Sequence, residues 1–135
     1  MLRELQRLPQ RYRGVEAVPA YNAMPERHGN HPWQNGWPSY VVMLDGARSY
    51  VAGDTDQTTE NEQVDCDVAL IPIGGTYTMD PVQAAAFADA IKPQVVVPTH
   101  YGSIVGTMAD ADVFAAAVDP AITVTRTVER THVVI

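Results

Sequence analysis

Cysteine is nearly missing from this chain, with Cys66 the single one among 135 residues. No intrachain disulfide can form, so the fold must stand on its apolar core, and nothing in the composition asks for an oxidising compartment. Lysine is as scarce, with Lys92 alone, and nine basic residues face sixteen acidic ones for a net charge of −7. The arginines are dispersed apart from Arg3, Arg7, Arg11 and Arg13, a cluster that reads as a solvated amino-terminal segment. The stripe of positive charge that a nucleic-acid partner requires is therefore lacking. Long hydrophobic runs are lacking too. None approaches the roughly 20 residues that span a bilayer, and the opening Met1-Leu-Arg-Glu-Leu-Gln-Arg-Leu8 is too charged for a signal-peptide core. A cytoplasmic location with no membrane partner is expected. Internal repeats and low-complexity tracts are also absent, and the length and apolar content suit one globular domain over residues 1–135.

What is present reads as α/β. Leu2, Leu5 and Leu8 fall at helical spacing until Pro9 stops the pattern. Val15 to Ala20 reads as a short strand. Tyr21 to Pro38 has no periodicity and carries three prolines, two glycines, two histidines and two tryptophans. It is a long loop of the kind that is usually functional, and Trp33 and Trp37 argue that it is ordered. Asp45-Gly46 between two β-rich runs is a strong hairpin signal. Thr58 to Val64 is expected to form a short helix. Val68-Ala-Leu-Ile-Pro-Ile73 and Val95-Val-Val97 read as strands covered on both faces. Between them Asp80-Pro81-Val82-Gln83 opens a helix, with Asp80 as N-cap, Pro81 at the first position and Gln83 as capping-box partner. That helix should end near Ile91, before Pro93. A second helix is expected over Asp110 to Val118, then β-rich runs over Ile122 to Val128 and His132 to Ile135.

Three of these strands run into polar or glycine-rich loops: Gly53-Asp54-Thr55-Asp56, Gly74-Gly75-Thr76-Tyr77 and Thr99-His100-Tyr101-Gly102. Strands joined by crossovers are usually parallel, so their carboxyl ends share one edge of the sheet, where open α/β sheets bind ligands. Asp54, Asp56, Thr76, Tyr77 and His100 should therefore converge on one cleft. Taken singly, Asp54 and Asp56 could be metal ligands, a general base or turn formers, and His100 a ligand or a merely hydrogen-bonded residue. Taken together, a carboxylate and an imidazole match the mixed ligand sets of zinc, manganese or iron centres.

The blocks Gly53-Asp-Thr-Asp56, Asp67-Val-Ala-Leu-Ile-Pro-Ile-Gly-Gly-Thr-Tyr-Thr-Met-Asp80 and Lys92-Pro-Gln-Val-Val-Val-Pro-Thr-His-Tyr-Gly102 resemble the carboxyl-terminal half of a metallo-β-lactamase-superfamily hydrolase. The ascorbate-phosphate-lactonase-like branch is the most similar, and Val18-Pro-Ala-Tyr-Asn22 resembles it as well. The likeness runs from about Val15 to Phe114. It implies half of an αββα sandwich, a mixed sheet with helices on one face. It also implies that Asp54 bridges two metal ions, zinc or manganese, and that His100 binds the second. A metal-bound hydroxide would then attack an ester, lactone or phosphoester of a small-molecule substrate. Tyr77 and Tyr101 become candidate substrate groups and Asp56 an orienting partner.

The superfamily's main signature, His-x-His-x-Asp-His, does not occur in these residues. Asn22 stands where many members have a histidine ligand, so a third ligand falls to Asn22, His28 or His31, of which His31 is taken as the candidate. His132, in a terminal strand, is expected to be structural. One half of a sandwich leaves a sheet face to be covered, so a homo-oligomer or a partner chain carrying the amino-terminal half is expected. The competing expectation is a truncated, non-catalytic remnant or a metal-binding interaction domain. A third reading, a phosphatase of the haloacid-dehalogenase type, shares the Gly-Asp-Thr turn. Its Asp-x-Asp loop should lie upstream, whereas Asp65-Cys-Asp67 follows the turn.

Overall fold

The computed structural model describes residues 14–103 and 105–126. Its centre is one six-stranded sheet in sequential order: β1 (Val15–Pro19), β2 (Pro38–Leu44), β3 (Ala47–Val51), β4 (Val68–Pro72), β5 (Val95–Thr99) and β6 (Thr123–Val124). The first three strands pair antiparallel and the last four, counting β3 again, pair parallel. The hairpin at Asp45-Gly46 forms as expected, with both residues at positive φ (50° and 80°), the conformation of a type I′ turn.

Two helices accompany the sheet, α1 (Pro81–Ile91) and α2 (Asp110–Ala117). The α1 start is the capping box read from the sequence: the Asp80 carboxylate accepts the Gln83 N–H at 2.8 Å, and the Gln83 side chain accepts the Asp80 N–H at 3.1 Å. The helix stops at Lys92, which turns left-handed (φ 50°) one residue before Pro93. Ala84, Ala85 and Ala88 are fully or almost fully buried, which lets α1 lie close to the strands. Phe87 meets Tyr50 of β3 edge to face, with ring centroids 6.2 Å apart. Tyr50, Ala69 and Val96 are successive register partners on β3, β4 and β5, and all three are sealed from solvent on this helix-bearing face.

The alternate register row runs Ala17, Tyr40, Val51, Leu70, Val97 across β1 to β5. Tyr40 and Val51 are exposed and Ala17, Leu70 and Val97 only half-buried. The sheet thus has one covered face and one open apolar face, as the half-sandwich expectation required.

Two expectations are narrowed. The short helix expected over Thr58 to Val64 forms as a single 3₁₀ turn, Asn61–Gln63. The Asn61 side chain explains this: it accepts the Thr58 N–H at 2.7 Å and donates to the Asp56 carbonyl at 2.8 Å, competing with a helical ladder. The strand expected from Ile122 to Val128 is Thr123–Val124 within the described residues. The Leu2–Leu8 pattern, the four amino-terminal arginines, residues 127–135 and His132 lie outside them.

Candidate metal centre

Because β1 and β3 both run antiparallel to β2, β1 shares its direction with β3, β4 and β5. Four strand-to-loop exits therefore meet at one sheet edge: the long loop after Pro19, the loop 53–56, the loop 74–79 and the loop that begins at His100. Asp54 and His100 come together there. His100 Nδ1 lies 3.7 Å from Asp54 Oδ1, and the two side chains are 39% and 38% exposed.

The backbone around this pair is constrained. His100 adopts a left-handed conformation (φ 59°), which is uncommon outside glycine. Gly74 makes room for it. A Cβ at Gly74 would stand 2.5 Å from the His100 carbonyl oxygen and 3.5 Å from its Nδ1. The Ile73 N–H donates to the Thr99 carbonyl at 3.0 Å, carrying the β4–β5 ladder up to the two loops. The sequence signals here were the strand ends and the glycines, and both were legible.

Asp56 has different surroundings from Asp54. It is buried, its Oδ1 accepts from Arg27 Nε at 2.9 Å and pairs with Nη2 at 2.8 Å, and its Oδ2 accepts the Met24 N–H at 3.0 Å. Arg27 Nη2 also donates to Gln83 Oε1 at 3.2 Å, at the start of α1. Sequence reasoning did not single out Arg27. An arginine in an aperiodic loop carries no signal of burial beyond its company of prolines and tryptophans.

Tyr77 is exposed, with its carbonyl accepting from Asn22 Nδ2 at 3.1 Å. Tyr101 is half-buried and its hydroxyl donates to the Arg126 carbonyl at 3.4 Å. A cavity of about 180 Å³ opens beside His100 and Tyr101. His31 stacks edge-on against Trp37, with centroids 4.5 Å apart, and His28 Nε2 lies 3.0 Å from the Ala23 carbonyl. Asn22 is buried and its Oδ1 has no partner among the described residues. A larger cavity, about 320 Å³, lies against Tyr21, Asn22, His28 and Trp33. The Tyr21 hydroxyl donates to Glu60 Oε2 at 2.6 Å. Burial first, then the Glu60 partner, raises the phenol above its ordinary value, and the same hydrogen bond lowers the Glu60 carboxyl.

The donor set can be tested against a divalent ion. An ion about 2.0–2.1 Å from each of two donors holds them roughly 3.4 Å apart in tetrahedral geometry. The 3.7 Å separation of Asp54 and His100 suits a shared ion better than a direct hydrogen bond. Carboxylate oxygen with imidazole nitrogen is a mixed donor set that suits a divalent transition metal. Among the described residues, however, no group of three or more His, Cys, Asp or Glu side chains is placed to hold a metal. The pair fits part of a metal centre.

A mixed sheet with helices on one face, carrying a carboxylate–imidazole pair at its loop edge, defines a half-sandwich α/β protein. The model of the beta-lactamase superfamily domain (Lactamase_B_3) matches residues 9–100, and the chain belongs to that superfamily. It is 40% identical over 98 residues to the UPF0173 metal-dependent hydrolase of Symbiobacterium thermophilum, a match covering 67% of this chain and 44% of that protein. With the corresponding protein of Thermococcus kodakarensis it shares 48% identity over 69 residues, 47% of this chain and 31% of the relative. Among solved structures, a proposed metal-dependent hydrolase from Parabacteroides distasonis superposes with TM-score 0.71 at 36% identity, over 83% of this chain and 49% of that one. Igni18, a metallo hydrolase from Ignicoccus hospitalis, gives TM-score 0.64 at 26% identity, over 84% and 48%. The chain thus spans less than half the length of the relatives it matches. No helix of the described residues is long and apolar enough to cross a membrane.

Proposed function

We propose that this chain furnishes part of the metal centre of a metal-dependent hydrolase acting, in the cytoplasm, on a small-molecule ester, lactone or phosphoester. The observation that carries the reading is the Asp54–His100 pair, 3.7 Å apart at the carboxyl edge of parallel strands in a chain of this superfamily. Zinc or manganese held there supplies Lewis acidity and lowers the pKa of water. Asp54 and His100 would hold the ion, with Gly74 leaving room for the His100 backbone carbonyl. Tyr77, exposed at the same edge, offers its hydroxyl to orient substrate. Tyr101 walls the cavity beside His100, and Asp56 anchors the loop that bears Asp54.

The remaining ligands come from a complementary segment, on this or another polypeptide, that covers the open sheet face. The continuous apolar register row of that face and the greater length of the relatives support this reading. A second reading, a domain that binds one ion weakly and turns nothing over, is favoured by the lack of a three-ligand group among the described residues.

Zinc and manganese titration by calorimetry tests the proposal. Uptake that falls at least about tenfold in both Asp54→Ala and His100→Ala, the usual cost of a lost ligand or its support, supports it. Absence of uptake, or uptake indifferent to both substitutions, overturns it. Turnover of ester or lactone substrates only after a complementary half is added separates the hydrolase from the weak-binding domain.

A further inference from the structure

Asp54 stands between two anchored neighbours. On one side the Ala52 N–H donates to the Leu70 carbonyl at 3.1 Å, tying the loop to β4, and Gly53 turns the chain at φ 63°. On the other side Thr55 and Asp56 are buried and stitched to the segment after β1. The Tyr21 N–H donates to Thr55 Oγ1 at 3.1 Å, and the Asp56 N–H donates to the Tyr21 carbonyl at 3.0 Å. A further stitch is ionic. Arg27 Nε and Nη2 converge on Asp56 Oδ1 at 2.9 and 2.8 Å, with side chains only 7% and 2% exposed.

Buried ion pairs rarely add net stability over apolar groups of the same shape, because desolvation offsets the attraction. What this pair adds is direction. The planar guanidinium fork fixes the approach angle of the carboxylate, and Nη2 also donates to Gln83 Oε1 at 3.2 Å. Gln83 is itself locked into the capping box of α1. One side chain thereby ties the loop after β1, the loop bearing Asp54 and the start of α1 into one rigid corner.

We propose that Arg27 is a positioning residue. Through Asp56 it fixes the 53–56 loop so that the Asp54 carboxylate faces His100 across a gap sized for one ion. This inference rests on the reading of Asp54 and His100 as metal ligands.

Two measurements on the wild-type chain, Arg27→Met, Arg27→Lys and Asp56→Asn test it: amide hydrogen exchange without metal, and zinc titration. Arg27→Met keeps the bulk of the side chain and removes its donors. Expected is exchange about tenfold faster or more at residues 21–24 and 53–56 with β4, β5 and α1 nearly unchanged, the signature of local opening. Zinc affinity should fall in parallel by about tenfold, the cost typical of a lost supporting group around a ligand. Arg27→Lys should recover part of both, since an ammonium supplies charge without the fork. A folded Arg27→Met with unchanged exchange and zinc affinity overturns the proposal. So does acceleration spread evenly over β4, β5 and α1, which marks a general stabiliser. Where Arg27→Met fails to fold, Arg27→Lys and Asp56→Asn carry the same comparison. If no form takes up zinc, the metal reading falls, and the exchange pattern alone decides the positioning role.

Discussion

The two faces of this sheet are built from the same kind of residue and live in different surroundings. On one face Tyr50, Ala69, Ile71 and Val96 are sealed under α1, whose Ala84, Ala88 and Phe87 fit against them without leaving solvent a path. On the other, Tyr40 and Val51 are 43% and 40% exposed, with Leu70 and Val97 only half-buried. Strands that are apolar at successive positions are made to be covered twice. The described residues supply one cover and leave the other face open.

The largest effect should come from emptying the covered face. Phe87→Ala removes a fully buried ring packed edge-on against Tyr50, and should cost about 3–5 kcal/mol in urea unfolding. A loss near zero would show that α1 does not seal this face in solution.

Alkaline pH should weaken the same face. Burial pushes the Tyr50 phenol from 10.0 up to about 12 and the Cys66 thiol from 9.0 up to about 11. Each folded value lies above the unfolded one, so the contribution is fully present below the unfolded value and is lost as pH rises through the folded value. Stability should therefore decline from about pH 9 upward for the thiol and from about pH 10 for the phenol, by on the order of 2 kcal/mol from Tyr50 at the far end. Urea unfolding at a series of pH values measures this decline. Tyr50→Phe should flatten its upper part.

The open face should show the smallest stability effect and the clearest effect on association. Val51→Lys, placed in the centre of the exposed row, should change unfolding by about 1 kcal/mol or less. It should abolish binding of a complementary half, or self-association, in sedimentation. A Val51→Lys chain that destabilises as strongly as Phe87→Ala would erase the distinction between the faces.

Particular residues show how far the sequence could be read. Asp80, Pro81 and Gln83 announced α1 to the residue, because capping chemistry is local. Asp45-Gly46 announced its hairpin because few residues accept positive φ at two successive positions. Asn61 shows why the short helix of Thr58 to Val64 stays at one 3₁₀ turn, since its side chain bonds the neighbouring backbone in place of a longer ladder. Arg27 gave no signal at all. Its burial depends on Asp56 and Gln83, 29 and 56 residues away, and no local pattern encodes such a meeting.

By itself the sequence determined the strands, the capped helix and the polar exits after β3, β4 and β5, because each depends on residues within a few positions. It also set Asp54 and His100 at strand ends. Only the tertiary structure decided what those ends became. Strand order brought Asp54 and His100 within 3.7 Å, and Gly74 made room for the His100 backbone. Asp54 and Asp56, two positions apart in one turn, went to a half-exposed edge and to a buried ion pair. The physical reason is that burial and pairing are set by what the rest of the chain brings close, and two neighbouring carboxylates can be given opposite tasks by that alone.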